Sequence, residues 1–153
     1  MLRVSSRGRY GVKAVFELAL RYGDGPISLS LIAREQGLTE PYLEQLMPSL
    51  KRAGLVESVR GSQGGYRLSR HPSRISVGDV VRALEGPIML TTCTSEDPHE
   101  CPELSRCIGP DVWSRVQQAL VATMDSMTFD GLLAQKEPAL SEALVWQASG
   151  GST

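Results

Sequence analysis

The 153-residue sequence predicts a mainly α-helical fold that carries one small β hairpin and ends in a long helix. Three observations support this fold class: apolar residues recur at helical spacing in the first 50 residues, two short strand-like runs flank a glycine-rich turn, and one apolar stripe extends over 112–127. A hydrophobic content of 41% and a charged content of 22% are ordinary for a globular protein.

The first 52 residues predict three helices. An amphipathic pattern over 5–22 is followed by "GDGP", a second pattern starts at a serine N-cap in 28–37, and a third occupies 39–52. Gly37 lies in the tight turn between the second and third helices, and two short helices joined in this way indicate a helix-turn-helix. Pro48 lies inside the third helix and predicts that this helix is kinked or ends early.

A β hairpin directly follows the third helix. Its predicted strands are 55–59 and 65–68, and its glycine-rich tip carries Arg60, Ser62 and Gln63. A hairpin in this position is the wing of a winged helix-turn-helix, and an arginine at its tip suits the narrow minor groove of DNA. A plain flexible turn is the alternative interpretation of "GSQGG".

The third helix is the predicted recognition helix. We expect the following residues to face outward and bind DNA: Tyr42, Glu44, Gln45, Ser49 and Arg52. The amide of Gln45 can pair with an adenine edge, Glu44 can accept from a cytosine amino group, and Arg52 suits a phosphate.

Charge is unevenly distributed along the chain. Residues 1–70 carry 11 Lys/Arg and 6 Asp/Glu, whereas residues 71–153 carry 5 and 11, so a net charge of +5 is followed by −6. A basic half indicates an anionic partner such as double-stranded DNA, and a solvated surface with uneven charge is the alternative interpretation. The sequence shows no membrane-spanning run, no secretory signal and no phosphate-binding glycine loop that opens a helix, so we expect a cytoplasmic protein that is not an enzyme.

A further helix is predicted from Ser76 to Gly86, and a longer one follows 110. The apolar stripe of the longer helix has too little of its own domain to cover it, and pairing with the same helix of a second subunit would bury it. The alternative is that this helix folds back on the DNA-binding module as core. The stripe consists of Val112, Val116, Leu120, Met124 and Met127, with Trp113 beside it.

All three cysteines lie in the segment "CTSEDPHECPELSRC". An odd number of thiols in a cytoplasmic protein favours metal ligation or redox sensing over a disulfide framework. Cys93, Cys101 and Cys107 can supply three ligands to an iron–sulfur cluster, or to zinc if His99 is the fourth. Redox-active free thiols are a third interpretation.

The order of these parts resembles one bacterial family. The segments "MLRVSSRGRYGVKAVFELAL", "GPISLSLIAREQGLTEPYLEQLMPSLKRAGLVESVRGSQGGYRLSR" and "ISVGDVVRALEG", followed by the cysteine cluster and a long helix, are similar to the IscR-like regulators, which include IscR, NsrR and RirA. The resemblance covers about residues 1–135. It implies a homodimeric winged-helix transcription regulator that binds an iron–sulfur cluster, with the 2Fe–2S type favoured over 4Fe–4S.

By this resemblance the three cysteines are the cluster ligands, Tyr42, Glu44 and Gln45 lie in the base-reading segment, and Arg60 lies in the wing. The histidine that follows the third cysteine by three positions in IscR is replaced here by Pro110, and the aspartate near the N-terminus that serves NsrR from the partner subunit is replaced by Arg9. The fourth ligand is therefore open.

We divide the chain into a DNA-binding domain (1–85), a cluster-binding loop (86–109) and a dimerisation helix with short C-terminal helices (110–148). The alternative function is a winged-helix regulator that binds zinc, or that senses redox state or a small effector without a cluster.

Overall fold

The computed structural model describes residues 4–91, 94 and 108–136. Its elements confirm the mainly α fold with a two-stranded wing. The regular elements are α1 (Ser6–Leu20), α2 (Leu29–Gln36), α3 (Glu40–Arg52), β1 (Val56–Val59), β2 (Gly65–Leu68), a 3₁₀ turn (Pro72–Arg74), α4 (Val77–Glu85) and α5 (Gly109–Ser126), and residues 129–136 are also helical.

The helices begin at the polar residues that the sequence offers as caps. The side chains of Ser5 and Ser28 each accept a hydrogen bond from the backbone amide three residues further along the chain, and Ser76 forms a reciprocal capping box with Asp79. Gly37 ends α2 in the left-handed conformation, at φ 64°. These local signals fix the boundaries of the helix-turn-helix close to their predicted positions.

The recognition helix α3 continues past its internal proline. Pro48 is exposed, and α3 extends to Arg52, so the predicted early end of this helix is wrong. The bond that proline cannot donate would go to the carbonyl of Glu44, which is itself an exposed residue, so that water can replace the missing donor.

The wing is an antiparallel hairpin that is joined to the chain ahead of α2. Val56 pairs with Leu68 and Val59 with Gly65, and Ile27 forms a bridge to Tyr66 through two backbone bonds of 2.8 Å. A Cβ at Gly65 would lie 2.2 Å from the carbonyl oxygen of Ile27, and its φ is +153°. Only glycine allows this close approach, which fixes the wing against the segment before α2.

One hydrophobic core unites α1 to α4 with the wing. Leu18, Ile32, Leu43 and Leu50 are almost completely buried in it, as is Phe129, which follows α5. Phe129 belongs to the segment 110–148, which the predicted division separates from the DNA-binding domain, so the core includes a residue from beyond that domain.

A short segment after α5, residues 127–129, connects that helix to the DNA-binding module, and we call it the strap. The amide of Val77 donates to the carbonyl of Met127 (2.9 Å), and the amide of Phe129 donates to the carbonyl of Ile75 (3.0 Å). No residue of α5 itself is buried, although the helix packs against α4. The alternative in which the α5 stripe forms core of the module therefore finds no support in the described residues.

Within the described ranges, none of the helices combines the length and the apolar character that a membrane crossing requires.

Candidate nucleic-acid interface and sensor segment

The outward face of α3 presents the predicted base-reading residues. Glu44, Gln45 and Arg52 are exposed. Tyr42 is half-buried, and its ring meets the ring of Tyr10 edge-on, with centroids 5.4 Å apart. This contact orients one edge of the face and places the start of α1 beside α3.

Ser49 differs from its prediction. It is buried, with 9% of its surface exposed, so its expected outward position is wrong. Ser49 lies two helical turns after Tyr42, on the stripe of α3 that faces α1, and this spacing explains its burial. Its hydroxyl accepts hydrogen bonds from the guanidinium groups of Arg52 (3.2 Å) and Arg7 (3.5 Å). Arg7 is a basic residue beside α3 that the sequence pattern did not single out.

The tip of the wing is open to solvent. Arg60, Ser62 and Gln63 are all exposed. At the base of the wing, Lys51 of α3 donates to the hydroxyl of Ser58 in β1 at 2.6 Å. The wing is thus attached directly to the recognition helix.

The ligands proposed for a cluster, Cys93, Cys101, Cys107 and His99, lie outside the described residues. The described residues around them are attached to α5. The side-chain amide of Gln117 accepts from the backbone amide of Leu90 (3.1 Å) and donates to the carbonyl of Thr94 (3.4 Å), and at the other end Ile108 leads directly into α5. Both flanks of the cysteine segment are therefore attached to α5.

The described residues also bear on the fourth ligand. Pro110 lies in the first turn of α5 and has no donor atom, and the Arg9 guanidinium lies over the Tyr10 ring at 5.7 Å from its centroid. Among the described residues, no three His, Cys, Asp or Glu side chains are placed to hold a metal ion. Asp111, exposed in the first turn of α5, is an oxygen donor close in sequence to Cys107.

Apolar side chains stand exposed on the first half of α5. Val112, Trp113 and Val116 are 43–45% exposed, and Ile108 just ahead of the helix is 77% exposed. A row of large apolar side chains in solvent is characteristic of an interaction surface.

A charged cluster joins α4 to the end of α5. Arg82 donates to Asp125 (2.7 Å) and to Asp79 (3.2 Å), and Arg70 lies 3.8 Å from Asp79. Burial tends to raise the pKa of Asp79, but hydrogen bonds from Ser76 and Arg82 outweigh it and hold that pKa below its usual value. The bond to Asp125 raises the pKa of Arg82.

Comparison with known proteins identifies the family. A family model described as an iron-dependent transcriptional regulator, Rrf2, matches residues 4–135. The chain belongs to the Rrf2 family. The regulator CymR of Bacillus subtilis is 41% identical over 131 residues, which are 86% of this chain and 89% of CymR. The regulator IscR of Aliivibrio salmonicida is 35% identical over 136 residues, covering 89% of this chain and 80% of that protein.

Solved Rrf2 structures share the fold. IscR from T. potens superimposes with a TM-score of 0.74 at 44% identity, covering 90% of each chain. CymR, described as the global cysteine regulator of B. subtilis, gives a TM-score of 0.73 at 40% identity and covers 88% of this chain and 98% of that one. These relatives confirm the predicted IscR-like family, the winged-helix fold and a DNA-binding transcription regulator rather than an enzyme.

Proposed function

We propose that this Rrf2 protein is a cytoplasmic, homodimeric regulator whose DNA binding responds to an iron–sulfur cluster held by Cys93, Cys101 and Cys107. The observation that carries the proposal is the attachment of both flanks of the cysteine segment to α5, through Gln117 and Ile108. The helix that would sense the cluster is thereby the helix that presents the exposed apolar surface.

DNA binding follows from the geometry of α3 and the wing. The exposed face of α3 enters the major groove, where Gln45 can contact an adenine and Glu44 a cytosine. The wing, attached to α3 through Lys51, brings Arg60 to the adjacent minor groove, with Ser62 and Gln63 beside it.

The exposed apolar surface of α5 supports the proposed dimerisation. Val112, Trp113 and Val116 would be buried against the same helix of a second subunit, which removes apolar area from water and stabilises the pair. A two-fold dimer presents two recognition helices, which match two half-sites on the DNA.

The donor set fits iron–sulfur chemistry. Cysteine thiolates are the usual ligands of such clusters and normally number four. This chain supplies three, and the fourth ligand would come from His99 or from an oxygen donor such as Asp111. When bound, the cluster supplies a redox- and iron-sensitive cross-link. The chain's own contribution is positional, because Gln117 holds the backbone at Leu90 and Thr94 against α5.

The experiment is a visible absorption spectrum, with iron and sulfide assays, on protein purified without oxygen. A variant with all three cysteines changed to alanine is the control. We expect colour with matched iron and sulfide only in the wild type, and a change in DNA affinity when the cluster is removed. The proposal fails if the wild type cannot be reconstituted, or if both forms bind a selected operator equally at equal salt.

A second candidate is a regulator that senses thiol chemistry or zinc without a cluster. The observation that favours it is the similarity to CymR, described as a global cysteine regulator, together with the replacement of the family's ligand positions by Pro110 and Arg9. In that case the protein is colourless, and DNA affinity changes with an oxidant or with zinc. The His99→Ala variant would lose zinc while keeping the redox response.

A further inference from the structure

Two arginines from different helices converge beside the recognition face of α3. The guanidinium groups of Arg7, in the first turn of α1, and Arg52, at the end of α3, donate to the single hydroxyl of Ser49. Their nitrogen atoms therefore lie no farther apart than the sum of 3.5 and 3.2 Å. At this separation two like charges repel each other.

Within the part of the chain that the structure describes, no carboxylate pairs with these two arginines. Arg21, Arg34 and Arg67 each form an ion pair with a glutamate, whereas neither Arg7 nor Arg52 pairs with any acidic side chain of the described residues. The one oxygen they share is a neutral hydroxyl that is almost buried. An anion seated between the two guanidinium groups would relieve their repulsion and accept several charge-assisted hydrogen bonds.

The place of the pair in the fold identifies the anion. Tyr10 of α1 touches Tyr42 of α3, so the start of α1 lies along the flank of the helix that enters the major groove. In helix-turn-helix proteins the recognition helix, here α3, lies in the major groove, so basic side chains along its flank face the phosphates that border that groove. A phosphate at the edge of that groove would therefore meet Arg7 and Arg52.

We propose that Arg7 and Arg52 form a clamp for one DNA phosphate per subunit, with Ser49 as the buried anchor that aligns both guanidinium groups. The proposal rests on the proposed function, because it requires that α3 enters DNA. It adds a sequence-independent contact that fixes how deeply and at what angle the recognition helix sits.

The test is the salt dependence of DNA binding for Arg7→Gln, Arg52→Gln and the double variant. The probe is a duplex selected by the wild type from a randomised pool. Each single variant should bind about tenfold more weakly, and the double variant should reduce the slope of log K against log salt by about 0.9 per subunit. Arg115→Gln, which removes an equal charge from an exposed position of α5, should leave the slope unchanged.

Further variants separate the clamp from a structural role. Thermal unfolding of the arginine variants should match that of the wild type, since neither side chain has an ion-pair partner in the described residues. Arg7→Lys keeps the positive charge but loses the planar guanidinium that donates two parallel hydrogen bonds. This variant should therefore bind DNA more weakly and keep the wild-type slope of log K against log salt. Ser49→Ala should weaken binding less than either glutamine variant and should leave the slope intact.

Several outcomes would overturn the clamp. An unchanged slope in the double variant excludes a phosphate contact, and a loss of two contacts per subunit means that the arginines bind separate phosphates. Replacing chloride by inorganic phosphate at equal ionic strength should raise the melting temperature of the wild type no more than that of the double variant. A larger rise in the wild type would mean that the two arginines bind a free anion. If the wild type binds no duplex at all, the proposed function fails instead.

Discussion

Phe129 should be the residue that holds α5 to the DNA-binding module. Its side chain is fully buried in the core although it lies beyond the end of α5, and its amide donates to Ile75. The change Phe129→Ala removes a whole aromatic ring from a packed interior, which costs about 3–5 kcal/mol in the free energy of unfolding. For a chain of this length that loss corresponds to a fall of about 10 °C in Tm.

The assay is urea unfolding followed by circular dichroism at one fixed protein concentration, because the proposed dimerisation would make the apparent stability concentration-dependent. Phe129→Leu, which keeps most of the volume, should lose about 1 kcal/mol. Met127→Ala is the matched control in the same strap, since Met127 is 36% exposed, and it should lose less than about 1 kcal/mol. The reasoning is refuted if Phe129→Ala is no less stable than the Met127 control.

Three further predictions concern the exposed apolar surface of α5, the charged cluster and the wing. Val116→Glu should place a charge in the α5 surface and give a monomer in sedimentation, with DNA binding at least about tenfold weaker. The pKa of Asp79 is lower in the folded protein than in the unfolded chain, so its ionised carboxylate stabilises the fold above the unfolded-state pKa. This stabilisation is lost as the pH falls through the folded-state pKa, so Asp79→Asn should flatten the loss of stability below about pH 4. Gly65→Ala should cost about 2 kcal/mol or more, since its Cβ would meet the Ile27 carbonyl.

Matched variants sharpen these predictions. Gln118→Glu adds the same charge to an exposed position of α5 off the apolar stripe, and a monomer there as well would remove the argument for a specific surface. Asp130→Asn changes an exposed carboxylate, and the free energy of unfolding of this variant should fall below about pH 4 as it does in the wild type. Gly131→Ala, in a helical segment at ordinary φ, should be tolerated, and equal damage there would contradict the steric reasoning.

Local signals made much of the fold predictable from the sequence. A serine cap, a left-handed glycine and a glycine-rich turn each act within a few residues, so the helices and the wing lie close to their predicted positions. Pro48 shows the limit of such rules, because an exposed site let the helix continue.

Long-range contacts account for what the sequence did not reveal. The Glu85 carboxylate at the end of α4 accepts from the hydroxyl of Ser5 and the amide of Gly8 across about 80 positions of the chain, and Phe129 reaches the core from beyond α5. In the candidate site, exposure at Glu44 and Gln45 followed from helical periodicity. The clamp did not, because periodicity within α3 cannot show which α1 residue lies opposite.

The end of α5 is attached to the DNA-binding module by the Arg82–Asp125 bond and by the strap at Phe129. These two attachments differ in strength, and the difference bears on how a signal from the cysteine segment would reach the module. A ligand changes DNA affinity only by interacting differently with two conformations. The bond between Arg82 and Asp125 joins side chains that are 37% and 42% exposed, so breaking it costs at most about 1 kcal/mol. Displacing Phe129 would cost several times more. The strap at Phe129 is therefore the stronger of the two attachments, and a signal that reached α5 would break the Arg82–Asp125 bond at a lower cost than it would displace Phe129.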